Sequence, residues 1–239
     1  MTIRTLLCLL LIPFTGEIMA QELTGKQLLQ NAIEYHDPEG QWSTFRGKLK
    51  IVMETPKSED RISEIWIDLP SDIFRLTARK GELTTHYELI NGACNLRLNG
   101  ELEFDLDEAE KAGLTCERAT LYRNYYTYLY GLPMKLKDPG TNVDPVVKRM
   151  TFKGKEYLVL NVNYDQEVGT DVWRFYFDPT TYAMEVYQFF KGDPEGKGKN
   201  TGEYILLDGI EMVEGMKIPK TRAWYYNKGD KYLGTDILQ

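Results

Sequence analysis

Apolar and polar positions change their period three times along this chain. Between Thr24 and His36 the apolar residues Leu28, Leu29, Ala32 and Ile33 recur at helical spacing, with Thr24 as an N-cap and Asp37-Pro38-Glu39-Gly40 as the stop. From Trp42 the period falls to two. Phe45, Gly47, Leu49, Ile51 and Met53 alternate with Arg46, Lys48, Lys50, Val52 and Glu54, the pattern of a strand with one buried and one wet face. Ile65, Ile67 and Leu69 repeat the alternation, followed by Phe74, Leu76 and Ala78, then Leu83, Thr85, Tyr87 and Leu89. Cys94, Leu96 and Leu98 come next, and Asn99-Gly100 predicts a tight hairpin into a strand through Leu102, Phe104 and Leu106.

The helical period returns from Asp107 to Tyr130, with a break expected at Gly113, and Lys135 to Pro145 reads as a loop. Strands then resume: Leu158, Leu160, Val162 and Tyr164 share a face, as do Trp173, Phe175 and Phe177. A turn at Asp178-Pro179-Thr180-Thr181 leads to Met184, Val186 and Phe190. Gly192 to Gly202 reads as a hairpin tip, and later strands run near Glu203 to Leu207, Lys217 to Tyr226, and from Tyr232 onward. The expectation is an α+β fold: one strongly curved antiparallel sheet, its apolar concave face covered by helices near residues 24–36 and 107–130. Buried-face register places Leu49, Ile51, Ile65, Ile67, Leu76 and Phe175 inward.

The first twenty residues follow a different logic. Arg4 supplies a positive start, Leu6 to Phe14 an apolar run too short for the roughly 20 residues that span a bilayer, and Ile18-Met19-Ala20 a cleavage point before Gln21. A cleaved export signal at 1–20 and a single domain over 21–239 are expected, and with them a periplasmic or extracellular location. The net charge of −7, from 29 basic and 36 acidic residues, leaves no electrostatic footprint for nucleic acid. Cys94 and Cys116 would survive cleavage; export permits one disulfide between them, and burial as two separate small hydrophobes is the alternative.

Candidate chemistry is sparse. Neither His36 nor His86 lies in a zinc-protease or triad-like context. His36 sits where a cation favours the helix dipole, and capping or packing is its reading. Gly192 to Asn200 lacks the spacing and the Ser/Thr of a phosphate loop, and Asp138, Asn142 and Asp144 lack a calcium-loop pattern. Asp178 and Asp236 are the best-placed carboxylates for acid–base work, though Asp178 opens a turn where Asp is favoured for local hydrogen bonds. No catalytic residue, metal or cofactor is assigned. The remaining signal is aromatic. Tyr122, Tyr125, Tyr126, Tyr128 and Tyr130 crowd one helix, more than a single core stripe needs.

The order of elements, together with Asp171-Val172-Trp173-Arg174-Phe175-Tyr176-Phe177-Asp178-Pro179-Thr180-Thr181, resembles the LolA/LolB superfamily. Gly215-Met216-Lys217-Ile218-Pro219 and Leu233-Gly234-Thr235-Asp236 look more like an uncharacterised family of secreted envelope proteins within or beside it. The resemblance implies an incomplete β-barrel closed by helices around a hydrophobic cavity, and a lipid, lipoprotein acyl chain or other amphiphile as ligand. Tyr122, Tyr125, Tyr126 and Leu129, on one helical face by spacing, are expected to line the cavity with Leu49, Ile51, Ile67, Trp173 and Phe175. Two alternatives remain: a non-catalytic interaction module with a filled core, or a hydrolase using Asp178 or Asp236.

Overall fold

A computed structural model of the protein describes residues 23–239; the expected export signal lies outside the described residues. The first described element is set by local chemistry. Thr24 and Gln27 form a capping box, and helix α1 (Gly25–His36) buries Leu28, Leu29, Ala32 and Ile33 along one stripe. Gly25 is required there, because a Cβ would lie 2.0 Å from the Asp144 carbonyl oxygen. The Asp37 carboxylate then accepts from the Gln41 and Trp42 backbone N–H groups at 2.7 and 2.9 Å, starting a single 3-10 turn that buries Trp42.

Thirteen strands follow, all antiparallel where they pair. They are β1 (Arg46–Thr55), β2 (Ser58–Asp68), β3 (Ile73–Lys80), β4 (Leu83–Ile90), β5 (Ala93–Leu98), β6 (Thr141–Val143) and β7 (Lys148–Phe152). The later ones are β8 (Lys155–Tyr164), β9 (Val172–Phe177), β10 (Met184–Phe190), β11 (Glu203–Val213), β12 (Met216–Tyr226) and β13 (Tyr232–Leu238). They make one sheet in the order β5-β4-β3-β2-β1-β13-β12-β11-β10-β9-β8-β6, with β7 also paired to β8. The sheet is curved and open: β5 ends one side, β6 and β7 the other. The C-terminal strand β13 lies in its middle, joined to β1 by pairs such as Ile51 with Leu238.

Period-two alternation does what a buried face demands. Leu49, Ile51, Ile65, Ile67, Leu76 and Phe175 all point into one core shared with α1 and with α3 (Cys116–Gly131). A smaller cluster of Tyr157, Val159, Tyr176 and Val186 packs on the outer face.

Two segments depart from expectation. Asn99 and Gly100 form the left-handed turn, but only one bridge, Leu98 with Glu101, follows it. Leu102 and Leu106 are 61% and 79% exposed, so a strand there would bury no apolar face. Asp105 instead caps the backbone of Asp107 and Glu108 and opens α2 (Leu106–Lys111). The stretch from Lys135 to Pro145 is likewise more ordered than a loop: it holds a 3-10 turn, Met134–Lys137, and β6. Cys94 and Cys116 form a disulfide with Cα atoms 5.9 Å apart, tying β5 to the first residue of α3.

Candidate functional site

Helix α3 is where the sequence places too many tyrosines, and the structure distributes them around more than one face. Tyr126, Leu129 and Tyr130 are buried against the sheet. Tyr122 packs edge-on to Tyr87. Tyr125 and Tyr128 face a different direction, together with Leu121, Asn124 and Thr127, and form one wall of a groove of about 500 Å³. Lys135, Asp138, Pro139 and Thr141 line it as well. Tyr164, Val168, Gly169, Asp171 and Trp173 complete the groove from β8, the loop after it and β9.

The groove floor is aromatic. Trp173 meets Tyr128 with ring centroids 5.6 Å apart and stacks with Phe175 at 5.9 Å, which fastens the indole to the core beneath. The Tyr128 and Tyr164 hydroxyls hydrogen-bond each other across the groove. Burial pushes the Tyr128 phenol well above its ordinary value and Tyr164 up to about 12, so both remain neutral. At the rim Leu121 and Val168 are 55% and 58% exposed, two large apolar side chains held open to water. Lys135 and Asp138 pair with each other and supply the charged end.

Tyr125 is common to this groove and to a second cavity of about 190 Å³. That cavity is lined by Met53, Thr55, Trp224, Leu233, Gly234 and Asp236 besides Tyr125. Trp224 Nε1 donates to Asp236 Oδ2 at 3.2 Å. Burial raises the Asp236 carboxyl above its usual range, although Arg222 and Arg61 pull it down.

Of the residues expected to line a cavity, Tyr125 and Trp173 lie on the groove wall. Tyr126, Leu129, Leu49, Ile51, Ile67 and Phe175 lie in the closed core, and Tyr122 packs at its margin. The helix fills the concave interior, so the open space lies on its outer flank. Leu121, Tyr128, Tyr164 and Val168 were not anticipated. The helix has apolar residues on two faces, which a single-stripe reading compresses into one.

Asp178 acts as a turn residue: Oδ1 accepts from the Thr180 and Thr181 backbone N–H groups at 2.9 Å each, and Lys155 Nζ lies 2.8 Å from Oδ2. His36 is buried and uncharged, not a dipole-facing cation: burial lowers its pKa to about 4. Among the described residues no group of three His, Cys, Asp or Glu side chains converges to hold a metal ion. No helix among them is long and apolar enough to cross a membrane.

The chain belongs to a family of unknown function, DUF6503, whose model matches residues 3–238. No curated protein matches the sequence. Among solved structures it is similar to a LolA superfamily protein from Nitrosomonas europaea, with 9% identity over 91% of this chain and 92% of that one and a TM-score of 0.49. It is also similar to a DUF1329 family protein from Desulfovibrio piger, with 6% identity, 90% of each chain covered and a TM-score of 0.47.

Proposed function

We propose that this member of the DUF6503 family is an exported envelope protein that binds a lipid, a lipoprotein acyl chain or a similar amphiphile in the groove beside α3. The observation that carries the reading is the groove itself. Its volume of about 500 Å³ falls in the range of small-molecule sites, its lining includes Trp173, Tyr128 and Tyr125, and its rim holds Leu121 and Val168 open to water. The aromatic rings suit the greasy end of an amphiphile, and the Lys135–Asp138 pair suits its wet end. The Cys94–Cys116 disulfide supports export, because such bonds persist in oxidising compartments.

A non-catalytic interaction module is the second reading. It is favoured by the filled concave interior, where Tyr126, Leu129 and Tyr130 occupy the space a half-barrel cavity would need. The two readings differ in what the groove takes up. In a titration with a fluorescent fatty acid, Leu121→Glu and Val168→Glu should each weaken uptake at least ~10-fold. Unfolding free energy should move by no more than about 0.5 kcal/mol, as for other exposed positions. Uptake unchanged by both substitutions would place the ligand elsewhere, and no uptake by the native protein would favour the interaction module. Native mass spectrometry of protein purified from its own envelope would then identify the bound lipid.

A further inference from the structure

β10 and β11 run as neighbours for a short stretch and then part. They pair through Val186–Leu206, Tyr187–Ile205 and Gln188–Tyr204. The same register would set Glu185 opposite Leu207 and Met184 opposite Asp208, and neither pair forms. Each strand carries a cause of the departure. In β10 the register against β9 shifts between Met184 and Val186, so Glu185 is an extra residue and the strand bends there. In β11 Gly209 adopts a left-handed φ of 65°, a conformation that a side chain would strain. The imidazole of His36 stands at the gap, where its Nε2 accepts from the Met184 backbone N–H at 2.9 Å. That donor serves the helix end and not a neighbouring strand. A cleft of about 270 Å³ results, lined by Tyr35 and His36, by Met184 and Glu185, and by Asp208 and Gly209.

Beyond the split β11 still pairs with β12 as far as Val213–Met216. Among the described residues no strand covers the other side of Leu207–Val213. A bare strand edge offers alternate N–H and C=O groups to any extended backbone, and sheets usually guard theirs. The outer ends of this sheet are guarded. β6 is three residues long, β7 carries Lys148 and Arg149, and β5 is tied to α3 by the disulfide. The β11 edge instead presents Ile210 and Met212, 48% and 58% exposed and on one face by period two. Its charges are acidic. Glu185 across the cleft is held by Lys155 at 2.7 Å, and Glu211 lies 3.5 Å from Lys220. Asp208 is exposed and makes no ion pair among the described residues.

We propose that the open edge of β11 receives an extended segment of a partner polypeptide as an added strand. The segment lays apolar side chains on Ile210 and Met212 and sets a lysine or arginine beside Asp208. Backbone pairing supplies affinity in such additions, and alternate side chains supply the choice of partner. Charge selects this occupant over a second copy of the chain, which carries a net charge of −7 and would bring the same carboxylates to the edge. The cleft shares no lining residue with the groove beside α3, so the two sites stand or fall separately.

Fluorescence anisotropy tests the proposal with a labelled peptide of about seven residues, an ordinary strand length, in which valine alternates with threonine and lysine. One control replaces lysine with glutamate, and the other is N-methylated along its backbone, which removes the donors and keeps the side chains. The lysine peptide should bind at least ~10-fold more tightly than either control, the loss expected when a few hydrogen bonds or a charged contact disappear. It should slow amide exchange within Leu207–Val213 and leave β5 and β7 unchanged. Ile210→Lys should weaken binding ~10-fold without moving the thermal transition, as at other exposed positions. Asp208→Lys should reverse the preference between the lysine and glutamate peptides. Equal binding of the methylated and unmethylated peptides overturns strand addition. No binding of the lysine peptide, or protection confined to other strands, overturns the site. A dimer that Ile210→Lys dissolves shows that a second copy covers the edge, and overturns the partner peptide. Should a variant fail to fold, the methylated pair, measured on the native protein, decides.

Discussion

The imidazole of His36 has a partner on each nitrogen. Nδ1 lies 2.7 Å from the Lys217 carbonyl oxygen and so carries the proton it donates, while Nε2 accepts from the Met184 backbone N–H at 2.9 Å. A second proton at Nε2 would confront that N–H, and burial disfavours the charged ring, which lowers the pKa from 6.5 to about 4. The unfolded chain therefore takes up a proton below pH 6.5 that the native state refuses until about pH 4. Stability from this site is complete above pH 6.5 and is lost as the pH falls toward 4, by about 3 kcal/mol in all. Urea unfolding across that range should show the loss, and His36→Asn should flatten the slope; a slope equal in the variant would mean the acid sensitivity lies elsewhere. The sequence put His36 at the helix end but could not show its burial, because the carbonyl and N–H that hold it come from β12 and β10. Arg61, Asp236 and Arg222 were hidden for the same reason: each is an ordinary charge within its own strand, and only register aligns them in one row.

Elements were legible wherever a pattern had a single physical cause. Alternation located the strands because one face is buried, and the cap at Thr24 located α1. Residues 102–106 were misread because alternation and capping competed there, and with little apolar burial at stake Asp105 decided the outcome. Helix α3 was found, and its groove-facing side was only half resolved. Tyr125 and Trp173 were singled out, whereas Tyr128, Leu121 and Val168 became visible only when β8, β9 and the loop between them met the helix. Its attachment yields a prediction at this scale. The disulfide links positions 22 residues apart and fastens the start of α3 to the edge strand β5. Loop-closure entropy for that span is worth about 3 kcal/mol. The double variant Cys94→Ser/Cys116→Ser should unfold at lower denaturant by that amount, and limited proteolysis should cut first between β5 and α3. Cleavage elsewhere, with stability unchanged, would mean that packing alone holds the helix.

At the scale of the molecule the first strand and the last meet in the centre of the sheet, not at an edge. β13 lies between β1 and β12, pairing with one through Ile51–Leu238 and with the other through Arg222–Asp236. It buries Leu238 in the shared core and supplies Asp236 to the inner polar row. Losing an edge strand shortens a sheet; losing this one leaves two sheets, each with a bare backbone edge and an uncovered apolar face. The inner row would then hold Arg61 and Arg222 with no carboxylate between them. Ending the chain after Gly229 should therefore abolish the cooperative thermal transition and yield an aggregating product, though only residues 230–239 are lost. By contrast, a chain starting at Gln21 should unfold as cooperatively as the full sequence, since α1 is capped by Thr24 itself. Calorimetry of both truncations decides the matter: a sharp transition in the C-terminally shortened protein would show that the two flanks fold independently and that β13 only joins them.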